Sequence, residues 1–333
     1  MTGRLAVGVL GCADIARRRV LPALAAHPDV DLVAVASRDA ARAARTAGEF
    51  GCRPVTGYAA LLADEAVQAV YVPLPAALHA AWVEAALRAG KHVHAEKPLT
   101  TDPARTRELL RLARDRRLAL TENVMFVHHA RHAVVRDLVA AGAIGKLRSF
   151  HASFAIPEPP EGDIRWSAAL GGGSLWDVGL YPVRAAVHLL GTDLEVLGAS
   201  LTTGPGREVD GAGAVLLRTA AGVTAQLTFG MRHAYRNRYE LWGSAGHLTV
   251  DRAFTPPADL ATEIRVETAE GTRTVTVDPD DQVANTVTAF VRAVREGTAP
   301  TADCLAQADL LAELHRAASN GPARRPGTGD RDR

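Results

Sequence analysis

A chain of 333 residues, 47% apolar and 23% charged, is longer than one ordinary core supports and has material for two. Its formal net charge of +1 excludes the strong field that gathers nucleic acid, and Cys12, Cys52 and Cys304 are too few and too scattered for a disulfide framework or a zinc cluster. No apolar run approaches the ~20 residues that span a bilayer, and the N-terminus reads straight into a strand, so the expected setting is the cytoplasm and the expected partner is a small molecule.

Residues 4–10 form a short apolar run that reads as a strand buried on both faces. A small-residue turn follows, Gly11-Cys12-Ala13-Asp14-Ile15-Ala16, and Ile15, Val20, Leu21 and Leu24 then carry a helical period to His27. Strand, tight turn and helix in that order offer backbone N–H groups to a pyrophosphate, although the fingerprint is degenerate, Gly11-x-Ala13-x-x-Ala16. Any tight strand-to-helix turn also favours small residues, so context must decide. The next strand, 32–36, ends in Ser37-Arg38, where an acid would bind a ribose 2′-hydroxyl. An arginine there suits the 2′-phosphate of NADP, with Asp39 the one nearby acid that argues the other way.

A helix to Phe50, a short helical piece at 58–62 and a strand at 69–72 lead to Pro73-Leu74-Pro75. Two prolines stop a ladder and turn the chain over the sheet's carboxyl edge, where open α/β sheets bind ligands. His79 opens a helix to Gly90, and the strand 92–95 runs into Glu96-Lys97-Pro98. Proline keeps Lys97 out of the helical region. A lysine ending a buried strand is expected to be partly desolvated, which pulls its pKa down from about 10.4 toward a range useful to a general acid; the alternative is a strand-end lysine paired with Glu96. Asp102 caps the next helix with Pro103 at its first position, and 118–123 is a further strand. Strands and helices that alternate in this way predict a parallel sheet with right-handed crossovers. His128 and His132 are expected on one helix face at i and i+4, a spacing zinc accepts, but nothing completes a ligand set. They and His129 read as structural or surface histidines, and no metal is expected.

From Gly145 the period changes. Extended segments at 147–156, 195–202, 213–219, 223–229, 238–242, 247–251, 263–268 and 272–277 predict a mostly antiparallel sheet with one face open to solvent or to a partner. One helix, 174–190, interrupts it and two, 281–296 and 305–320, close the chain. The fold class is therefore α/β, with a dinucleotide-binding domain at 1–125, an α/β domain with a large open sheet at 126–320, and a tail at 321–333 with too little apolar content to fold. Gly171-Gly172-Gly173 allow a tight approach to the interrupting helix, on which Asp177, Tyr181 and Arg184 repeat at helical spacing among apolar neighbours. Such a polar line needs partners inside the fold. Tyr181 either aims its hydroxyl at a ligand or is a core tyrosine, with Asp177 paired to Arg165 or Arg184.

Gly11-x-Ala13, Ser37-Arg38, the Pro73-Leu74-Pro75 segment with His79, Glu96-Lys97-Pro98 and the run from Gly171 through Asp177 and Gly179 to Tyr181, in this order and spacing, resemble the Gfo/Idh/MocA oxidoreductases to about residue 320. The resemblance implies a Rossmann domain followed by an α/β domain whose open sheet meets another subunit, giving a homodimer or homotetramer. It also implies that Lys97 is catalytic. Many members carry a histidine where this chain has Tyr181, and a tyrosine branch exists. Closer still, 11–16, 72–76, the stretch ending in Tyr235 and the stretch from Arg252 to Thr255 resemble C-3 ketoreductases of dTDP-linked 3,4-diketo-2,6-dideoxyhexoses.

That resemblance implies NADP(H) bound by Gly11, Cys12, Ala13, Asp14, Ile15, Ala16, Ser37, Arg38, Tyr58, Leu74, Pro75, His79, Glu96, Lys97, Arg165, Trp166 and Asp177. It places the nucleotide-sugar against Lys97, Asp177, Tyr181, Tyr235 and Thr255. Lys97 is then expected to give a proton to the carbonyl oxygen while Tyr181 hydrogen-bonds it, a positioned-acid effect of typically about 10²- to 10⁴-fold. Two rival readings stay open: an NADP-dependent dehydrogenase of the same family acting on a free sugar, polyol or dihydrodiol, and a non-catalytic NADPH-binding sensor.

Overall fold

The computed structural model describes residues 3–297 and 301–319; the tail at 321–333 lies outside the described residues. Strands β1 (Leu5–Leu10), β2 (Val30–Ser37), β3 (Arg53–Thr56), β4 (Ala69–Val72), β5 (His92–Glu96) and β6 (Leu120–Asn123) pair in parallel in the order 3-2-1-4-5-6. Helices α1 (Leu21–Ala26), α2 (Ala40–Phe50), α3 (Tyr58–Leu62), α4 (Ala76–Arg88) and α5 (Pro103–Asp115) connect them. Sequence reading misses β3, because Arg53-Pro54-Val55-Thr56 is short, mostly exposed and contains a proline, a combination tolerated only at a sheet edge. The order reverses between β1 and β4, so the turn after Leu10 and the prolines after Val72 flank one crevice at the carboxyl edge.

After α6 (Arg131–Ala140) the chain builds a second sheet. Its strands are β7 (Leu147–Ala155), β8 (Leu194–Thr203), β9 (Asp210–Thr219), β10 (Thr224–Gly230), β11 (Arg236–Gly243), β12 (Gly246–Asp251), β13 (Thr262–Thr268) and β14 (Gly271–Val277), with α7 (Leu180–Leu190) between β7 and β8. They lie in the order 14-13-12-11-7-10-9-8, antiparallel except where β10 runs parallel to β7. Alternation decides the faces: Phe150, Leu217, Leu227, Phe229 and Leu241 point into a core shared with α7, whereas Leu216 and Trp242 stand exposed on the other face.

Two closing helices, α8 (Gln282–Glu296) and α9 (Ala302–Ser319), stitch the halves together. Val287, Phe290, Val291 and Val294 of α8 join Val9, Tyr71 and Leu21 in the core under the first sheet. Leu310, Leu311 and Leu314 of α9 enter the second core, while Cys304 reaches the first. We propose residue 125 as the boundary where the chain first leaves the parallel sheet, with α8 as its return; an amphipathic helix does not announce which core it will cover.

Candidate active site

The crevice between β1 and β4 is lined by small residues for a steric reason. Gly11 has φ +127°, which side chains with a Cβ rarely adopt, and a Cβ there would meet Leu74 Cδ2 at 3.1 Å. Cys12 and Ala16 are buried behind it, and a π-helical turn, Ala16–Val20, leads into α1; Ile15 and Asp14 are exposed, Asp14 paired with Arg18 at 2.5 Å. Backbone can thus approach a diphosphate closely here. At the end of β2, the acid that argued against NADP is otherwise engaged: the Asp39 carboxylate caps α2 by accepting from the Arg42 N–H at 3.0 Å. Ser37 Oγ accepts from the Asp39 N–H at 3.2 Å, and exposed Arg38 has no ion-pair partner among the described residues. Arg42, which sequence reading passes over, donates to the Cys12 carbonyl at 2.8 Å and ties α2 to the turn.

Behind the crevice the motif residues hold one another. Tyr58 is buried edge-on against Trp82, ring centroids 5.0 Å apart. Pro75 precedes α4, and His79 one turn in is fully buried, its ring nitrogens 2.7 Å from the carbonyl oxygens of Leu74 and Pro98. His79 therefore joins the two loops that border the crevice, with both ring nitrogens occupied. Burial lowers its pKa against the upward pull of the two carbonyls, each of which accepts only from a ring N–H. Glu96 does not pair with its neighbour's amine; its Oε1 accepts from Tyr71 Oη and Asn123 Nδ2, both at 2.6 Å.

Lys97, Asp177 and Arg165 meet where three segments converge. Lys97 Nζ donates to Asp177 Oδ1 at 2.6 Å and to the Asp177 carbonyl at 3.2 Å. Arg165 Nε donates to Asp177 Oδ2 at 2.7 Å, and its NH1 holds Asp163 at 3.1 Å. Asp177 sits in a π-helical turn, Leu175–Gly179, just before α7. The three glycines ahead of it serve close packing: a Cβ on Gly172 would strike the Arg165 carbonyl, and one on Gly173, where φ is +118°, would lie 2.6 Å from Asp210 Oδ1. Asp210 in turn accepts from the Leu175 N–H at 2.8 Å and from Ser174 Oγ, capping the turn. Trp166, beside Arg165, is buried with its N–H donated to the Pro159 carbonyl at 3.2 Å and its ring under the Arg207 guanidinium at 4.4 Å.

Electrostatics reverse one expectation. Burial pulls the Lys97 pKa down, but the Asp177 carboxylate, helped by Tyr181 and Glu96, more than reverses this and holds the ammonium above its ordinary value. Burial would raise Asp177; Lys97 and Arg165 bring it down to about 2. Tyr181 stacks its ring edge on Phe154 with centroids 4.9 Å apart, and Lys97 Nζ lies 5.3 Å from its ring centre. Its hydroxyl has no hydrogen-bond partner among the described residues, and burial pushes its pKa up despite Lys97.

A second cluster lies on the rim of the open sheet. Asn237 Nδ2 donates to Tyr235 Oη at 2.9 Å and to Thr255 Oγ1 at 2.8 Å, while its Oδ1 accepts from the Phe254 N–H at 2.8 Å. Tyr235 is 53% exposed and Asn237 is buried. Asn237 escapes sequence reading; an asparagine at an inward position of β11 is the signal that would have found it. Phe254 connects the two clusters, its ring centroid 5.8 Å from that of Tyr181. The histidines correct another expectation: His128 ends a 3-10 turn, Met125–His128, and α6 starts only at Arg131, so His128 and His132 share no helix face. His132 Nδ1 instead meets Tyr239 Oη at 2.8 Å inside the core, and among the described residues no His, Cys, Asp or Glu side chains cluster as a metal would require.

Known proteins with this arrangement share both halves of it. Residues 5–124 match the model described as "Oxidoreductase family, NAD-binding Rossmann fold", and residues 132–249 match "GFO/IDH/MocA C-terminal domain". A dTDP-3,4-didehydro-2,6-dideoxy-alpha-D-glucose 3-reductase from Streptomyces antibioticus is 53% identical over 312 residues, 92% of this chain and 95% of that protein. D-xylose 1-dehydrogenase (NADP(+)) 2 of Haloferax volcanii is 37% identical over 89% of this chain and 91% of its own. Among solved structures, KijD10, a 3-ketoreductase from Actinomadura kijaniata in complex with NADP and TDP-benzene, superposes with a TM-score of 0.93 at 50% identity, covering 95% of this chain and 98% of that one.

Proposed function

The chain belongs to the Gfo/Idh/MocA oxidoreductase family, and from that premise we propose that it reduces the C-3 ketone of a dTDP-linked 3,4-diketo-2,6-dideoxyhexose to a 3-hydroxy-4-keto sugar with NADPH. The observation that carries the reading is the meeting of Lys97, Asp177 and Arg165 beside the unengaged Tyr181 hydroxyl. The Gly11 turn would hold the diphosphate, and Ser37 with Arg38 the 2′-phosphate, since a Cβ-free turn and an uncommitted guanidinium fit those groups. Bound there, the nicotinamide supplies the hydride.

The protein's own residues do the rest. Lys97 stays an ammonium at every physiological pH, so it offers positive charge and then its proton to the oxygen as the C=O bond becomes C–O–H. Asp177, ionised because Lys97 and Arg165 flank it, orients that amine until the substrate oxygen arrives. Tyr181 donates a second hydrogen bond to the same oxygen and fixes the face presented. Tyr235 and Thr255, joined through Asn237, lie at the nucleotide end.

No helix among the described residues is long and apolar enough to cross a membrane. We place the enzyme in the cytoplasm as a homodimer or homotetramer that covers the face bearing Leu216 and Trp242. The deciding experiment is incubation with NADPH and the dTDP-diketo sugar generated in situ, followed by NMR of the product. A new 3-hydroxyl supports the reading. Oxidation of free xylose without measurable affinity for dTDP would replace it with a free-sugar dehydrogenase, and failure to turn over any ketone in a broad panel would leave a coenzyme-binding sensor.

A further inference from the structure

Lys97 and Tyr181 belong to different halves of the chain, so the distance between the loop after β5 and helix α7 depends on contacts between the halves, of which the Lys97–Asp177 pair is one. One buried junction touches both. Glu122 of β6, with its side chain 2% exposed, accepts through Oε1 from the backbone N–H of Leu99 at 2.9 Å, two residues beyond Lys97. The same oxygen accepts from Gln307 Nε2 of α9 at 2.8 Å. Its Oε2 lies 3.3 Å from Arg184 NH1, on α7 one turn past Tyr181, and that NH1 also donates to Gln307 Oε1 at 3.2 Å. Asp303 stands 4.0 Å from Arg184 NH2 at the outer margin. A charge buried this deeply is tolerated only while its partners remain, so the three side chains act as a unit.

We propose that Glu122, Arg184 and Gln307 are positioning residues for the reduction, holding α7 against the loop of Lys97 so that the Tyr181 hydroxyl and the lysine amine oriented by Asp177 meet at a single carbonyl oxygen. The proposal rests on the ketone-reduction reading above, and none of the three touches the reacting atoms. The link is direct on both sides: the carboxylate is bonded to the backbone of the Lys97 loop, and the guanidinium lies on the same stripe of helix as Tyr181 and Asp177, three and seven residues away. A misplacement of about 1 Å between reacting groups can cost on the order of 10²-fold in rate.

The test compares Arg184→Met, Arg184→Lys and Gln307→Leu with the parent enzyme. Arg184→Met is expected to lower kcat on the order of 100-fold, to leave NADPH affinity and the KM for the sugar essentially unchanged, and to raise the isotope effect with NADPH deuterated at C4. Arg184→Lys restores most of the rate, and Gln307→Leu falls between. Hydrogen exchange at the Leu99 amide, read without substrate, speeds up in Arg184→Met and Gln307→Leu. Folded variants with unchanged kcat and isotope effect, or with unchanged Leu99 protection, overturn the proposal. Should Arg184→Met fail to fold, Gln307→Leu and Arg184→Lys carry the same readouts. If the parent enzyme does not reduce the sugar, the functional reading fails by itself, and Leu99 exchange still decides whether the junction holds the loop.

Discussion

The two ends of the cleft are built on opposite principles. At the proposed reaction end, charge is half-buried and shared: one carboxylate, Asp177, is gripped by Lys97 from the first half of the chain and by Arg165 from the second. At the rim, Tyr235, Asn237 and Thr255 are neutral, lie within one sheet and its margin, and are in part open to solvent. The contrast teaches that the neutral rim cluster is assembled as soon as the second sheet folds, whereas the charged cluster exists only while the two halves are docked.

The largest effect separates the ends cleanly. Lys97→Met is expected to reduce turnover by about 10²- to 10⁴-fold, the usual worth of a positioned acid, while dTDP binding measured by calorimetry stays unchanged; an equal loss of dTDP affinity would show that the two ends are one unit. Asn237→Leu is the reverse probe. It removes two donated hydrogen bonds of roughly 0.5–1.5 kcal/mol each, so the KM for the nucleotide-sugar should rise about tenfold with kcat at saturation nearly constant, and a fall in kcat instead would place Asn237 in the chemistry.

The smallest effect is a flat line. The Lys97 pKa lies above its ordinary value and that of Asp177 near 2, so neither changes charge between pH 6 and 9, and kcat/KM of the free enzyme should be level there. Stability from Asp177 is complete above about 3.8 and is lost as pH falls through about 2; that from Lys97 is complete below its unfolded value and is lost only as pH rises past its raised one. Melting temperature behaves differently. His128, His129 and His188 are pushed down to about 4, mainly by burial, so their contribution is complete above pH 6.5 and is lost as pH falls toward 4. A melting temperature that held steady from pH 6.5 to 4 would contradict that burial.

Much of this was legible in the sequence where the signal is local. Alternating strands and helices and the eight extended segments of the second half were readable because period and turn residues are properties of neighbours. Glu96-Lys97-Pro98 and the glycine run were readable as motifs, and Arg165 was one of two named partners for Asp177. What failed was the sign of the Lys97 shift, because desolvation can be guessed from a strand end but the opposing carboxylate comes from eighty residues away. Asn237 and Glu122 were invisible for the same reason: each looks like an ordinary polar residue in a strand until the fold supplies its partners.

The return of α8 to the first sheet carries a further consequence for how the protein is made. Val287, Phe290 and Val291 cover apolar surface of the parallel sheet that residues 5–123 leave bare. On the ribosome, the nucleotide-binding half begins to fold early yet stays open on one side until almost the whole chain has emerged, and during that interval it exposes a sticky surface suited to chaperone capture.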